Sequence, residues 1–200
     1  MERRMDINEG GRRRGRALEE AILCAAWAEL LDHGYASFTM EGVAKRAGTS
    51  RPVLARRWPS RPDLAVAAIG HYNKNNPIDV PDLGNVRAEL MVLFQKLSER
   101  GTRTMAKVLF SMNDYFVETN SSLVDLQRKL ADGSKLREVL QRGVDRGELD
   151  QSKMTPRISS LPLDLFRHEL IMTHKPVSSA LIVEIIDTIF LPLAAAKAEG

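Results

Sequence analysis

The chain of 200 residues is short of cysteine and aromatic side chains, with one cysteine and 6% Phe, Trp and Tyr. Cys24 on its own cannot close an intrachain disulfide, which excludes a disulfide-built scaffold. A charge-free apolar run of about 20 residues is also missing. The most apolar tract, Ala180 to Ala196, is interrupted by Glu184, Asp187 and Pro192, so no membrane helix is expected. No basic stretch leads into an apolar segment with a small-residue cleavage site, and the expected location is cytoplasmic. Runs of alternating β-branched residues are absent, and so are sequence repeats, which leaves an all-α fold as the expectation. Catalytic signatures are lacking too. The four histidines, His33, His71, His168 and His174, show no metal-ligand spacing, and no phosphate loop, dinucleotide fingerprint or G-x-S-x-G motif occurs. We therefore expect no enzyme, no metal and no cofactor.

What the chain does have is an uneven charge. Met1 to Arg61 holds 12 Lys/Arg against 8 Asp/Glu, whereas the remainder holds 17 against 18. The basicity of the first third points to a polyanion partner there. Residues 1–16, ending in "EGGRRRGR", lack apolar periodicity and read as a flexible basic arm. Leu18, Ile22, Ala25, Ala26 and Leu30 then recur on one helical face, predicting a helix over about 17–33 that Gly34 ends.

Thr39 caps a short helix from Met40 to Ala47, and "GTS" turns the chain into a second helix that Ser50 caps, with Pro52 in its first turn. Ser60 and Pro62 start a fourth helix, carried to Tyr72 by Leu64, Ala65, Ala68 and Ile69. Two short helices joined by a tight turn form a helix-turn-helix, whose second helix enters the DNA major groove. Val43, Ala44, Ala47, Val53, Leu54 and Trp58 are its expected core, leaving Thr49, Arg51, Pro52, Arg56 and Arg57 outward. Arg51 is placed to pair with guanine, Arg57 and Arg61 to meet phosphates, and Arg12, Arg13, Arg14 and Arg16 to reach an adjacent minor groove.

"NKNNPIDVPD", residues 73–82, is the expected boundary between a DNA-binding domain over 17–72 and a helical domain over 83–195. Helical patterns follow at about 83–99, 103–118, 122–146, 156–173 and 179–193, and Pro162 is expected to bend or break the fourth of these. Leu181, Ile182, Ile185, Ile186, Ile189 and Phe190 form a broad stripe that suits either a partner copy or the chain's own core.

The segment "AILCAAWAELLDHGYASFTMEGVAKRAGTSRPVLARRWPSRPDL", Ala21 to Leu64, resembles the N-terminal domain of the TetR family of bacterial transcription regulators. "RGELD" at 146–150 and "HKPVS" at 174–178 resemble the C-terminal half of one branch of that family. The resemblance implies a homodimer binding a palindromic operator on double-stranded DNA, as a repressor released by a small-molecule effector. It implies backbone contacts from Thr39, Ser50, Arg57 and Arg61 and base contacts from Thr49, Arg51, Pro52 and Val53. It moves the 181–190 stripe to the dimer interface, and it implies an effector cavity among the middle helices. For that cavity the soft, amphipathic side chains of Phe94, Met105, Phe110, Met112, Tyr115, Phe116, His168 and Met172 are suited. Ala55 departs from the family pattern, which has an aromatic residue touching the phosphate backbone there. The competing reading is an all-α protein-interaction adaptor without sequence-specific DNA binding.

Overall fold

The computed structural model describes residues 7–100, 106–130 and 134–196, with side chains over 15–100, 107–130 and 135–196. In chain order the helices are α1 (Ile7–His33), α2 (Met40–Arg46), α3 (Arg51–Ala55), α4 (Arg61–Asn75), α5 (Val86–Arg100), α6 (Ala106–Phe110), α7 (Asn113–Thr119), α8 (Leu123–Lys129), α9 (Ser134–Asp145), α10 (Pro156–Thr173), α11 (Ser179–Val183) and α12 (Leu191–Ala194). A 3-10 turn, Gln151–Lys153, precedes α10, and a π-helical stretch, Glu184–Phe190, joins α11 to α12. The fold is all-α. Among the described residues, extended pairing is confined to an isolated bridge between Leu149 and Ala195, and no helix is long and apolar enough to cross a membrane.

The chain divides into two units, Met1–Asn76 with Phe110–Leu130, and Pro77–Leu109 with Ala131–Gly200. The single boundary expected at residues 73–82 is therefore incomplete, because the chain returns to the first unit. Fully buried Tyr35 meets Tyr115 of α7 edge-on at 5.4 Å, and its backbone N–H donates to the Ser111 hydroxyl at 3.3 Å. Gly34 makes that approach possible: its φ is +69°, and a Cβ there would stand 3.0 Å from the Ser111 Cβ.

In the first unit Ile22, Ala25, Ala26 and Leu30 of α1 pack with Leu64, Ala65, Ala68 and Ile69 of α4, all buried, and Trp27 stacks on Tyr72 with centroids 4.1 Å apart. The helix starts at Ile7, not near residue 17, so the expected flexible arm is helical over residues 7–16. Arginine and glutamate are good helix formers, and three scattered glycines did not outweigh them.

In the second unit α5 lies against α9 and α11, and the core collects Leu90, Leu93, Phe94, Val139, Phe166, Ile185, Ile186 and Phe190. Thr155 caps α10 through the Ile158 N–H at 3.3 Å. Pro162 does not break α10; it lies buried inside an uninterrupted helix. The hydrogen bond it forgoes is offset by burial of its ring in the core. The second unit also buries Glu89 completely, between Arg142 (Nε–Oε2 2.8 Å) and Arg146 (Nη2–Oε1 3.0 Å).

Candidate nucleic-acid interface

The Thr39 hydroxyl accepts the Gly42 N–H at 3.0 Å and starts α2. The turn that follows is closed by backbone bonds, Gly48 N–H to Lys45 O (3.2 Å) and Thr49 N–H to Ala44 O (2.9 Å), with Gly48 at φ +63°. A left-handed residue at this point is what lets two helices meet within three residues, and glycine takes it without strain. Ser50 heads α3 by position, but its hydroxyl makes no capping bond; its carbonyl accepts from Val53 and Leu54. The Ser60 hydroxyl accepts the Asp63 N–H and donates to the Asp63 carboxylate at 2.6 Å, starting α4.

Val43, Ala44, Leu54 and Trp58 are buried, and Ala47 and Val53 are half-buried, so the small core forms where the pattern placed it. The opposite face exposes Thr39, Ser50, Arg51, Pro52, Arg56 and Arg57, with Thr49 half-buried at its edge. Ala55 is exposed on the same short helix. Arg16 is exposed on α1, whereas the side chains of Arg12, Arg13 and Arg14 lie outside the described residues.

The arginines differ in what already holds them. Arg51 faces Glu41 at 2.9 Å, but both side chains are about two-thirds exposed, at 65% and 66%. Such a pair is worth well under about 1 kcal/mol and yields readily to a base or phosphate. Arg57 reaches Glu19 at 3.2 Å and the Gly15 carbonyl at 3.3 Å, and so lies against α1. Arg46 is committed to the scaffold: it contacts Glu29 (2.7 Å) and Asp32 (2.8 Å), which fixes α2 to α1.

Arg61, expected at a phosphate, is held within the first unit: its Nε and Nη2 both reach Glu118 Oε2, at 2.8 and 2.7 Å, and its Nη1 donates to the Phe38 carbonyl at 3.3 Å. Its guanidinium also lies 4.6 Å from the centroid of the Tyr35 ring. The Tyr35 hydroxyl donates to the same carboxylate oxygen at 2.9 Å. Hydrogen bonds from Arg61 and then from Tyr35 hold the Glu118 carboxyl below the ordinary carboxylate range. Burial, followed by the hydrogen bond to Glu118, pushes the Tyr35 phenol up. Sequence reading missed Glu118, which lies 57 residues from Arg61 on a helix of no evident motif.

The residues expected around an effector cavity divide between the two units. Phe94 is core of the second unit beside Phe166, at 5.3 Å. Met112 and Tyr115 are buried in the first unit, and Phe116 packs on Tyr115 at 5.5 Å. Phe110 is partly exposed, His168 is exposed, Met172 is 68% exposed, and Met105 lies outside the described residues. Soft apolar side chains suit a cavity or a core equally, and residue type alone does not say which core receives them.

The stripe assigned to a dimer interface also needs correction. Ile182, Ile185, Ile186 and Phe190 are at most 3% exposed within the second unit's own core, and only Leu181 and Ile189 are half-buried. A hydrophobic stripe looks the same whether its cover is a partner copy or the chain itself. The apolar side chains exposed nearby are Ile171 and Met172 on α10 and Leu193 on α12.

A family model described as "Bacterial regulatory proteins, tetR family" matches residues 22–68, and one described as "Tetracyclin repressor-like, C-terminal domain" matches residues 80–189. A relative named as the DNA-binding transcriptional repressor TetR, from Mycobacteroides abscessus, is 28% identical over 183 residues, covering 90% of this chain and 95% of its own. An uncharacterized HTH-type transcriptional regulator of Mycobacterium tuberculosis is 27% identical over 179 residues, with 87% and 86% covered. A solved TetR transcriptional regulator from Agrobacterium tumefaciens shares the fold with a TM-score of 0.64 at 19% identity, covering 90% of this chain and 95% of that one. The second match alone spans more than half of the sequence, and together with the helix-turn-helix built by α2 and α3 it settles descent: the chain belongs to the TetR family of bacterial helix-turn-helix transcriptional regulators.

Proposed function

We propose that the protein is a homodimeric repressor that binds a palindromic operator and leaves it when a small-molecule effector binds. The observation that carries this reading is the division of the helix-turn-helix into two faces. Val43, Ala44, Leu54 and Trp58 hold it together from within, while Arg51, Pro52, Arg56 and Arg57 stand exposed with Thr49 at the edge. Arg51, at the start of α3, supplies the fork that matches a guanine edge, and Arg56 and Arg57 supply phosphate contacts. Two copies would set two α3 helices one DNA turn apart or somewhat more, which makes the operator palindromic. The copies pair through apolar side chains that α10 and the run from α11 to α12 leave partly or wholly open: Leu181, Ile189, Ile171, Met172 and Leu193.

Release by an effector follows from differential binding. The effector must favour the conformation whose α3 helices miss the groove spacing, with a coupling of about 1–3 kcal/mol. The test is a selection of the purified protein against random duplexes at two salt concentrations, with the enriched sequences read out. An enriched palindrome, lost more readily at the higher salt, is expected. Retention of no duplex at either salt would remove the DNA-binding reading and favour the adaptor.

A further inference from the structure

Three donors converge on a single oxygen in the first unit: the Tyr35 hydroxyl at 2.9 Å and the Nε and Nη2 of Arg61 at 2.8 and 2.7 Å all meet Glu118 Oε2. Arg61 is the first residue of α4, three positions beyond buried Trp58, and its Nη1 holds the carbonyl of Phe38, the residue before the Thr39 cap of α2. It thus stands beside the helix-turn-helix. Arg61 and Glu118 are both about one-third exposed, so water and ions reach the pair.

A phosphate contact contributes salt-dependent affinity because a net cation displaces counterions from the duplex. Paired with Glu118, Arg61 has no net charge to offer, and from beyond a Debye length the pair is neutral. Arg51 differs from it: among the described residues its ion-pair partner is Glu41, two-thirds exposed and easily displaced. Arg61 has two contacts to one carboxylate oxygen, one to a backbone carbonyl and one aromatic face.

We infer that Glu118 occupies the place of a DNA phosphate on Arg61 and withholds this arginine from the duplex, so that Glu118 sets how tightly the protein binds DNA of any sequence. The inference rests on the DNA-binding reading above. Glu118 is a positioning residue here: it touches Arg61 and Tyr35 and acts through Arg61. It keeps part of the protein's affinity in reserve, and the reserve is sequence-independent.

The experiment is a salt titration of DNA binding by the full chain, on the selected operator and on an unrelated duplex, with folding of each variant checked by circular dichroism. Glu118→Gln keeps the side-chain shape and removes the charge. It is expected to tighten binding to both duplexes and to steepen the salt slope by about 0.9 per half-site, which is about 3.5-fold more affinity lost over a fourfold rise in salt. Arg61→Ala in the native chain is expected to leave the slope unchanged, and Arg61→Ala combined with Glu118→Gln should return it to the native value. A double variant that keeps the steeper slope would overturn the inference, because loss of a negative charge, and not release of Arg61, would then be the cause. If Glu118→Gln does not fold, Arg61→Ala alone decides: a slope reduced by about 0.9 per half-site means that Arg61 already meets phosphate. Failure of the two readings is distinguishable. Native protein that retains no DNA refutes the functional reading, whereas native binding that Arg57→Ala weakens and Glu118→Gln leaves unchanged refutes only this one.

Discussion

Arg87, Arg142 and Arg146 of the second unit are held quite differently from Arg51, Arg56 and Arg57 of the first. In the second unit Arg142 spans Glu89, Glu138 and the Val80 carbonyl, Arg146 spans Glu89, Asp82 and Glu148, and Arg87 grips Asp187 through two bonds of 2.7 Å. These cations are consumed by the fold. In the first unit Arg51, Arg56 and Arg57 keep exposed guanidiniums, and Arg56 makes no ion pair among the described residues. Net charge per unit hides this contrast. The relevant quantity is how many cations remain for a polyanion once internal carboxylates have taken theirs, and Arg46 and Arg61 show that the first unit also spends two of its own.

The sharpest way to break the comparison is to remove the carboxylate at the centre of the second unit. Glu89→Ala would leave Arg142 and Arg146 without their buried partner, and we expect a loss of about 3 kcal/mol in urea denaturation. A loss below about 0.5 kcal/mol would show that the surrounding acids alone suffice. Packing in the same unit offers the next effect. A Cβ added at Gly143 would stand 2.9 Å from Val86 Cγ2 and 3.0 Å from Leu149 Cδ1, so Gly143→Ala should cost about 2 kcal/mol by overpacking. A neutral result in thermal denaturation would mean that α9 shifts freely.

Smaller effects belong to the first unit. Tyr35→Phe removes one donor from Glu118 and should cost about 1 kcal/mol, because the hydroxyl is buried and its partner charged. Since Glu118 has a lowered pKa, its contribution to stability is present at neutral pH and disappears as pH falls through and below the carboxylate range. Denaturation midpoints across an acid series should therefore lose less on acidification in Glu118→Gln than in the native chain. The smallest stability change is expected for Arg57→Ala, under about 0.5 kcal/mol, although its effect on DNA binding is a salt slope lowered by about 0.9 per half-site.

Local rules were enough for much of the first unit. Thr39 and Ser60 cap helices as their side chains predict, and Leu54 and Trp58 are buried because helical spacing puts them inward. What local rules do not contain is the partner from far along the chain. Glu118 takes Arg61 across 57 residues, and Tyr115 draws Phe110–Leu130 into the first unit, with neither event marked in periodicity. The stripe from Leu181 to Phe190 was legible as apolar, but apolarity does not distinguish a partner's surface from the chain's own core, and most of it faces inward. The π register of Glu184–Phe190 had no mark in the sequence either. Pro162 shows the converse, a strong local rule overridden by burial.

The central proposal is that the exposed arginines of α3 and its flank meet DNA, while Arg87, Arg142 and Arg146 of the second unit serve the fold. The most direct measurement is the salt dependence of duplex binding by the native chain, Arg57→Ala and Arg87→Ala side by side, exposed Arg87 being the bidentate partner of the half-buried Asp187 carboxylate in the second unit. The account predicts a slope lowered by about 0.9 per half-site for Arg57→Ala and an unchanged slope for Arg87→Ala. An unchanged slope for Arg57→Ala, or a lowered one for Arg87→Ala, would contradict it.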